Sequence, residues 1–177
     1  MKRIIAFFLF LALSAGAFAQ EFRLPQINEI AEVENEDDTV LSLFSMARDG
    51  QTVYFLNVGQ LGVGDEVFQV QFDPVFQLFI PLGGTLEASL ETLGQLQELL
   101  KEPDGTVREI EACFAPAMPN ASRETAKVTI HKRLFGRQLE FSLEREGYIR
   151  ATYVSRSDFN SLVSSAKFYR RFHPKEQ

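Results

Sequence analysis

The 177-residue chain has no tryptophan, one cysteine and two histidines. A lone thiol, Cys113, cannot form an intramolecular disulfide, so the core has to hold without covalent staples. Cys113 itself reads as a small buried hydrophobe. With only His131 and His173, no ligand spacing of a zinc site is present. None of the patterns G-x-S-x-G, H-E-x-x-H, G-x-x-x-x-G-K-[ST] or paired C-x-x-C occurs. Cys113 with His131 is the one conceivable nucleophile–base pair, and no acid is specified to orient the imidazole. The chain therefore reads as non-enzymatic, with no catalytic, cofactor-binding or metal residue assigned. Basic residues are also scarce in one half. From Gln20 to Leu100 there are two basic and fourteen acidic residues, and from Lys101 to Gln177 fourteen and ten. The formal net charge of −6 weighs against general nucleic-acid binding, because polyphosphate affinity rests on Lys and Arg.

Long apolar runs are missing apart from the start of the chain. Met1-Lys2-Arg3 is basic, Ile4 to Leu13 is almost unbroken apolar, and Ala17 and Ala19 occupy the small-residue positions of a cleavage site. This is the pattern of a secretory signal peptide over 1–19. The run is too short to span a bilayer comfortably, and no stop-transfer segment follows. The expectation is an exported protein, periplasmic or secreted, without a transmembrane anchor after cleavage. What remains is 177 − 19 = 158 residues, enough for one domain with a real core.

An acidic segment over 20–38 comes first, weakly patterned, with Leu24, Ile27 and Ile30 able to form a helical turn or two. From Thr39 the pattern is strand-like. "TVLSLFSMA", the turn "RDG" and "QTVYFLNV" read as a hairpin. "VFQVQF" and "VFQLFI" alternate with period two, the second with Phe76, Leu78 and Ile80 on one face. "TLEASLETLGQLQELLKE" carries Leu86, Leu90, Leu93, Leu96 and Leu100 at helical spacing, and "PDG" stops it. The Gly pair of "PLGG" before this helix reads as a strand–helix turn rather than an anion site, since Glu87 and Glu91 already complement the helix dipole. The second half repeats the order. "TVREIEACFA", "AKVTIHKRL", "QLEFSLE" and "YIRATYV" read as strands, the third with Leu139, Phe141 and Leu143 inward and the last with Ile149, Ala151 and Tyr153 inward. "FGR" is the turn between the second and third. A helix follows, capped by Ser155 or Ser157, with Phe159, Val163, Ala166, Tyr169 and Phe172 as its apolar stripe.

At a spacing of 73 residues, Leu86 falls on Phe159, Leu90 on Val163 and Leu96 on Tyr169. The fold expected is therefore α+β: two ββββα repeats over 39–102 and 103–177 within one globular domain. Each antiparallel sheet would be covered by its C-terminal helix, and the units related by a pseudo-twofold axis. This element order resembles the Pur-alpha repeat and the Whirly group, topology alone and without a family motif. That resemblance implies single-strand binding on an open sheet face. "LFIPLGGTLEASLETL" is similar to a strand–GG–helix segment of the YbjN group, whose fold is akin to secretion chaperones.

Two surfaces are candidates for binding. In the first half Tyr54, Leu56 and Val58 oppose Val53 and Phe55, and Phe79 points away from Leu78 and Ile80. The sheet is thus apolar on both faces, with Tyr54 and Phe79 as candidate partner contacts. In the second half period two groups Lys127, Thr129, His131 and Arg133, joined by Tyr148, Arg150 and Thr152, a basic and aromatic face able to stack and neutralise a single strand. Glu140, Glu144, Glu109 and Glu111 share that face, so cross-strand charge pairs are the simpler account. The functional expectation is an exported binding or structural protein engaging a protein partner or itself as a homodimer. Alternatives are single-stranded nucleic acid or polyanion binding on the second sheet, and an unrecognised hydrolase.

Overall fold

A computed structural model describes residues 25–34, 40–48, 50–60, 62–63, 77–114, 116–117, 121, 123–145 and 148–173. The expected signal peptide and the expected strand at 67–72 lie outside these residues. The elements in chain order are β1 (Gln26–Glu34), β2 (Val40–Arg48), β3 (Gln51–Gln60), β4 (Gly62–Val63), β5 (Gln77–Gly83), α1 (Leu86–Leu99), β6 (Val107–Cys113), β7 (Arg123–Arg133), β8 (Gly136–Arg145), β9 (Tyr148–Ser155) and α2 (Arg156–Phe172).

Among the described residues, all the strands join one antiparallel sheet in the order β1-β2-β3-β5-β6-β7-β8-β9-β4. Eight of them are seven residues or longer and β4 has two. The sheet curls. Helix α2 touches β1 and β2 at one end of the order and β8 and β9 at the other, which a flat sheet would not allow. β4 follows β3 after one residue and pairs with β9 through Gly62↔Ala151 and Val63↔Arg150, drawing the far edge back toward the middle of the sheet. The result is a half-barrel around two helices.

This corrects the expectation of two ββββα units related by a pseudo-twofold axis. β5 and β6 pair at Phe79↔Cys113, so the two halves make one sheet. The helix of the second half lies against β1 and β2 of the first, while α1 lies against β5, β3 and α2. A four-strand sheet would leave two open edges in each unit, and unpaired N–H and C=O groups are a liability. Joining β5 to β6 removes one edge from each. The acidic segment also differs from expectation: residues 26–34 form a strand instead of a helical turn, paired with β2 and bulged between Glu29 and Ala31.

The concave side is the core. Leu43, Leu56, Leu78, Ile130, Leu139 and Phe141 from the strands are almost fully buried there against Leu86 and Leu93 of α1 and Phe159 and Leu162 of α2. The alternation expected for β3 and β8 is the one observed, as is that of Leu78 and Ile80 in β5, Phe76 lying outside the described residues; Leu86, Leu90, Leu93 and Leu96 of α1 are buried as expected, and so is Leu100 just past its end. Both helices start on side-chain caps. Thr85 accepts from the Ala88 N–H at 3.2 Å, and Ser155 accepts from the Asp158 N–H at 3.1 Å while donating to Asp158 Oδ2 at 2.6 Å. Such caps satisfy amides that have no partner inside the helix. Gly83 is required by its turn. Its φ is 134°, and a Cβ there would lie 3.0 Å from that of Ala88. Only glycine combines that conformation with so close an approach.

Candidate functional site

The outer face of β7, β8 and β9, with the hairpin tip that joins β7 to β8, gathers charged, aromatic and exposed apolar side chains. Along β7 the outward residues are Lys127, Thr129, His131 and Arg133, because Ala126, Val128 and Ile130 are buried inward. Thr129 stands opposite Glu140 of β8, and Glu140 stands opposite Tyr153 of β9. His131 Nε2 lies 2.6 Å from Glu140 Oε2. A carboxylate only accepts, so the imidazole donates. The Tyr153 ring meets His131 edge-on at 6.2 Å, and the Arg133 guanidinium sits 5.7 Å from the Tyr153 ring centroid, within cation–π range. Four side chains from three strands thus form one cluster.

Beyond it the chain turns in two residues, Leu134 and Phe135, between Arg133 and Gly136. Both side chains are as exposed as side chains can be, 96% and 102%. Turns ordinarily take Gly, Asn, Asp or Ser, so a Leu-Phe pair here is anomalous. The base of the hairpin is tied down. The Lys132 N–H donates to Asp104 Oδ1 at 2.6 Å. Arg137 Nη1 donates to the Leu100 carbonyl at 2.9 Å and also to the Glu102 carbonyl. Backbone bonds between Gly105, Thr106 and Ile130 fasten the preceding turn to β7. The two apolar side chains therefore project from a held support.

The residues singled out from sequence separate on the structure. Lys127, His131 and Arg133 share the outer face; Lys127 stands opposite Glu109 and Ser142, an opposite-charge pairing of the kind expected. Arg150 does not join them. It stands opposite Leu143, whose side chain is in the core, and half-buried on the concave side. Tyr148 opens β9 opposite Arg145; its side chain lies outside the described residues. β9 is inverted relative to expectation: Thr152 and Val154 are buried, whereas Ile149 and Tyr153 are exposed. A one-residue change of phase moves a whole strand's side chains to the other face.

Tyr54 is 3% exposed in the core and presents no surface. Phe79 is half-buried on the convex side, edge-on to Phe44 at 5.7 Å. Phe44 stacks on Phe55 at 5.6 Å, and with Met46 and Cys113 these are buried beside Ala117. Arg48 Nη2 donates to the Ala117 carbonyl, holding that residue against this face. Cys113 and His131 are far apart: Cys113 stands opposite Arg123, and His131 is eight residues further along β7, roughly 25 Å at the usual strand rise. Burial, and then the Glu111 carboxylate, push the Cys113 thiol up to about 11, which disfavours the nucleophilic thiolate. Among the described residues no three His, Cys, Asp or Glu side chains gather as a metal site would require, and no helix is long and apolar enough to cross a membrane.

Sequence reasoning missed Tyr153, Leu134 and Phe135. The signal for the tip was present: "KRLFGR" places two large apolar residues directly before the glycine of a turn. Comparisons of the chain with protein-family models, curated proteins and solved structures give no match.

Proposed function

We propose that the chain is an exported, non-enzymatic binding protein that engages a protein partner through the Leu134–Phe135 tip and the adjoining Arg133–Tyr153–His131 strip. The observation that carries this reading is the fully exposed apolar pair on a tied-down hairpin. Leaving a large apolar side chain in water forgoes about 1.5–3 kcal/mol of burial. A mobile tip could fold its side chains back onto the protein; this one is held away. Aromatic residues and arginine dominate the energetics of protein interfaces, and Phe135, Tyr153 and Arg133 stand together here. Export rests on the Met1–Ala19 pattern, and the non-enzymatic reading on the separation of Cys113 from His131 and on the raised thiol pKa.

A photo-reactive phenylalanine analogue at position 135, in the cells that make the protein, tests it. The expected product is a discrete protein adduct, lost when Arg133 and Tyr153 are both changed to alanine. Adducts only to lipid or nucleic acid, or none, would contradict it.

A further inference from the structure

The open side of the half-barrel presents the outer faces of α1 and α2 side by side. On α1 this face is acidic, with Glu91 exposed and Glu87 half-buried; Glu98, also exposed, is already paired with Lys101 at 2.6 Å. On α2 the buried stripe is Phe159, Leu162, Val163 and Ala166. At 3.6 residues per turn, Phe168 and Phe172 lie on the opposite side of the helix. They are 61% and 65% exposed, their rings 4.7 Å apart. Phe172 was expected in the core stripe and is not there. Lys167 and Arg171, both exposed, flank the pair. One layer thus carries an acidic helix next to a basic helix bearing an unburied phenylalanine pair.

The levels of the two helices match. Gln97 Nε2 donates to Asn160 Oδ1 at 2.6 Å, joining the end of α1 to the beginning of α2. At the other end, Asn28, Ser45, Tyr54 and Gly83 form one row across β1, β2, β3 and β5. Asn28 Nδ2 donates to the Tyr169 hydroxyl of α2 at 2.9 Å, and Gly83 abuts Ala88 of α1. The beginning of α1 and the end of α2 therefore lie at the same height, and the helices run in opposite directions.

From this geometry we infer that the helix layer is a self-complementary surface, and that its occupant is a second copy of this chain. A twofold axis lying on the outer surface of this layer, parallel to the helices and midway between them, places the partner's α1 on α2. The acidic start of one copy's α1 then faces Lys167 and Arg171 of the other, twice, and both phenylalanine pairs are covered. This is the arrangement an isologous dimer requires. Helices of about 21 and 26 Å, roughly 10 Å apart, give a footprint on the order of 500 Å² on each copy, about 1,000 Å² in all, which is the lower bound for a specific interface. This surface is separate from the hairpin tip.

Charge reversal on the purified full chain tests it by sedimentation equilibrium. The unchanged protein is expected to be a dimer at micromolar concentration. Glu91→Lys alone and Arg171→Glu alone should each raise the dissociation constant at least tenfold. Mixing the two variants should restore the dimer, because each copy then offers the charge the other lacks; a merely structural role would not produce that rescue. Phe172→Glu should also give monomers, with an unchanged circular dichroism spectrum, whereas Phe135→Glu should leave the dimer intact. A monomer at all concentrations, a dimer indifferent to Phe172→Glu, or two monomeric variants that stay monomeric when mixed would overturn it.

Discussion

Arg137 lies 37 residues beyond Leu100, yet it serves the end of α1. The last turn of that helix has no basic residue of its own, and its carbonyls form the negative pole of the dipole. Arg137 supplies the cation from β8 and, by the same bonds, holds the hairpin base. Arg137→Ala is expected to destabilise the protein by about 1.5–3 kcal/mol, the range for hydrogen bonds to charged groups, read from the urea midpoint. Hydrogen exchange at Lys132 and Arg133 should accelerate in the same variant. Cys113 gives a second prediction. Its thiol has the folded pKa raised from 9.0 to about 11, so its contribution to stability is complete below about 9 and is lost as the pH rises through about 11. Iodoacetamide at pH 8 should leave the folded protein unmodified and alkylate it readily in urea. Rapid alkylation of the native protein would contradict the burial.

The helices were legible in the sequence because their apolar residues recur at one period with polar residues between. β9 was not. In "YIRATYV" one phase offers Ile149, Ala151 and Tyr153 and the other Tyr148, Arg150 and Thr152. The more apolar set was expected inward, yet the set containing Thr152 and Val154 is buried. What decides the phase is the pairing with β8, where Phe141 stands opposite Thr152, and that is not local information. The observed phase has a direct test. Thr152→Lys should cost about 3 kcal/mol or more, since it buries an unpaired charge. Ile149→Lys on the outer face should change stability by less than about 0.5 kcal/mol. Equal effects would mean the strand is not held in this phase. The acidic β1 was hidden for a related reason: only Ile30 and Ala31 are buried in it, too few to show a period of two.

At the scale of the whole molecule, element order was readable and strand partnership was not. Four strands before a helix fit two separate sheets as well as one curled sheet. The choice rests on β5 meeting β6 and on α2 reaching back to β1 and β2. Because α2 packs on strands of both halves, the halves are expected to unfold together. Leu162→Ala should lower stability by about 2–5 kcal/mol, with urea transitions that coincide for probes placed in β2 and in β8. Two separated transitions would favour independent units. The same topology leaves the outer face of β7 to β9 and its tip free of the helices, and this is where a protein partner is proposed to bind. The most direct measurement is the affinity for the protein crosslinked at position 135, compared between the unchanged chain, Phe135→Glu and Phe79→Glu by calorimetry. Phe135→Glu is expected to lose at least thirtyfold in affinity with its circular dichroism spectrum preserved, and Phe79→Glu in folded protein no more than a few-fold. Undiminished affinity in Phe135→Glu would mean that the partner does not bind at the tip.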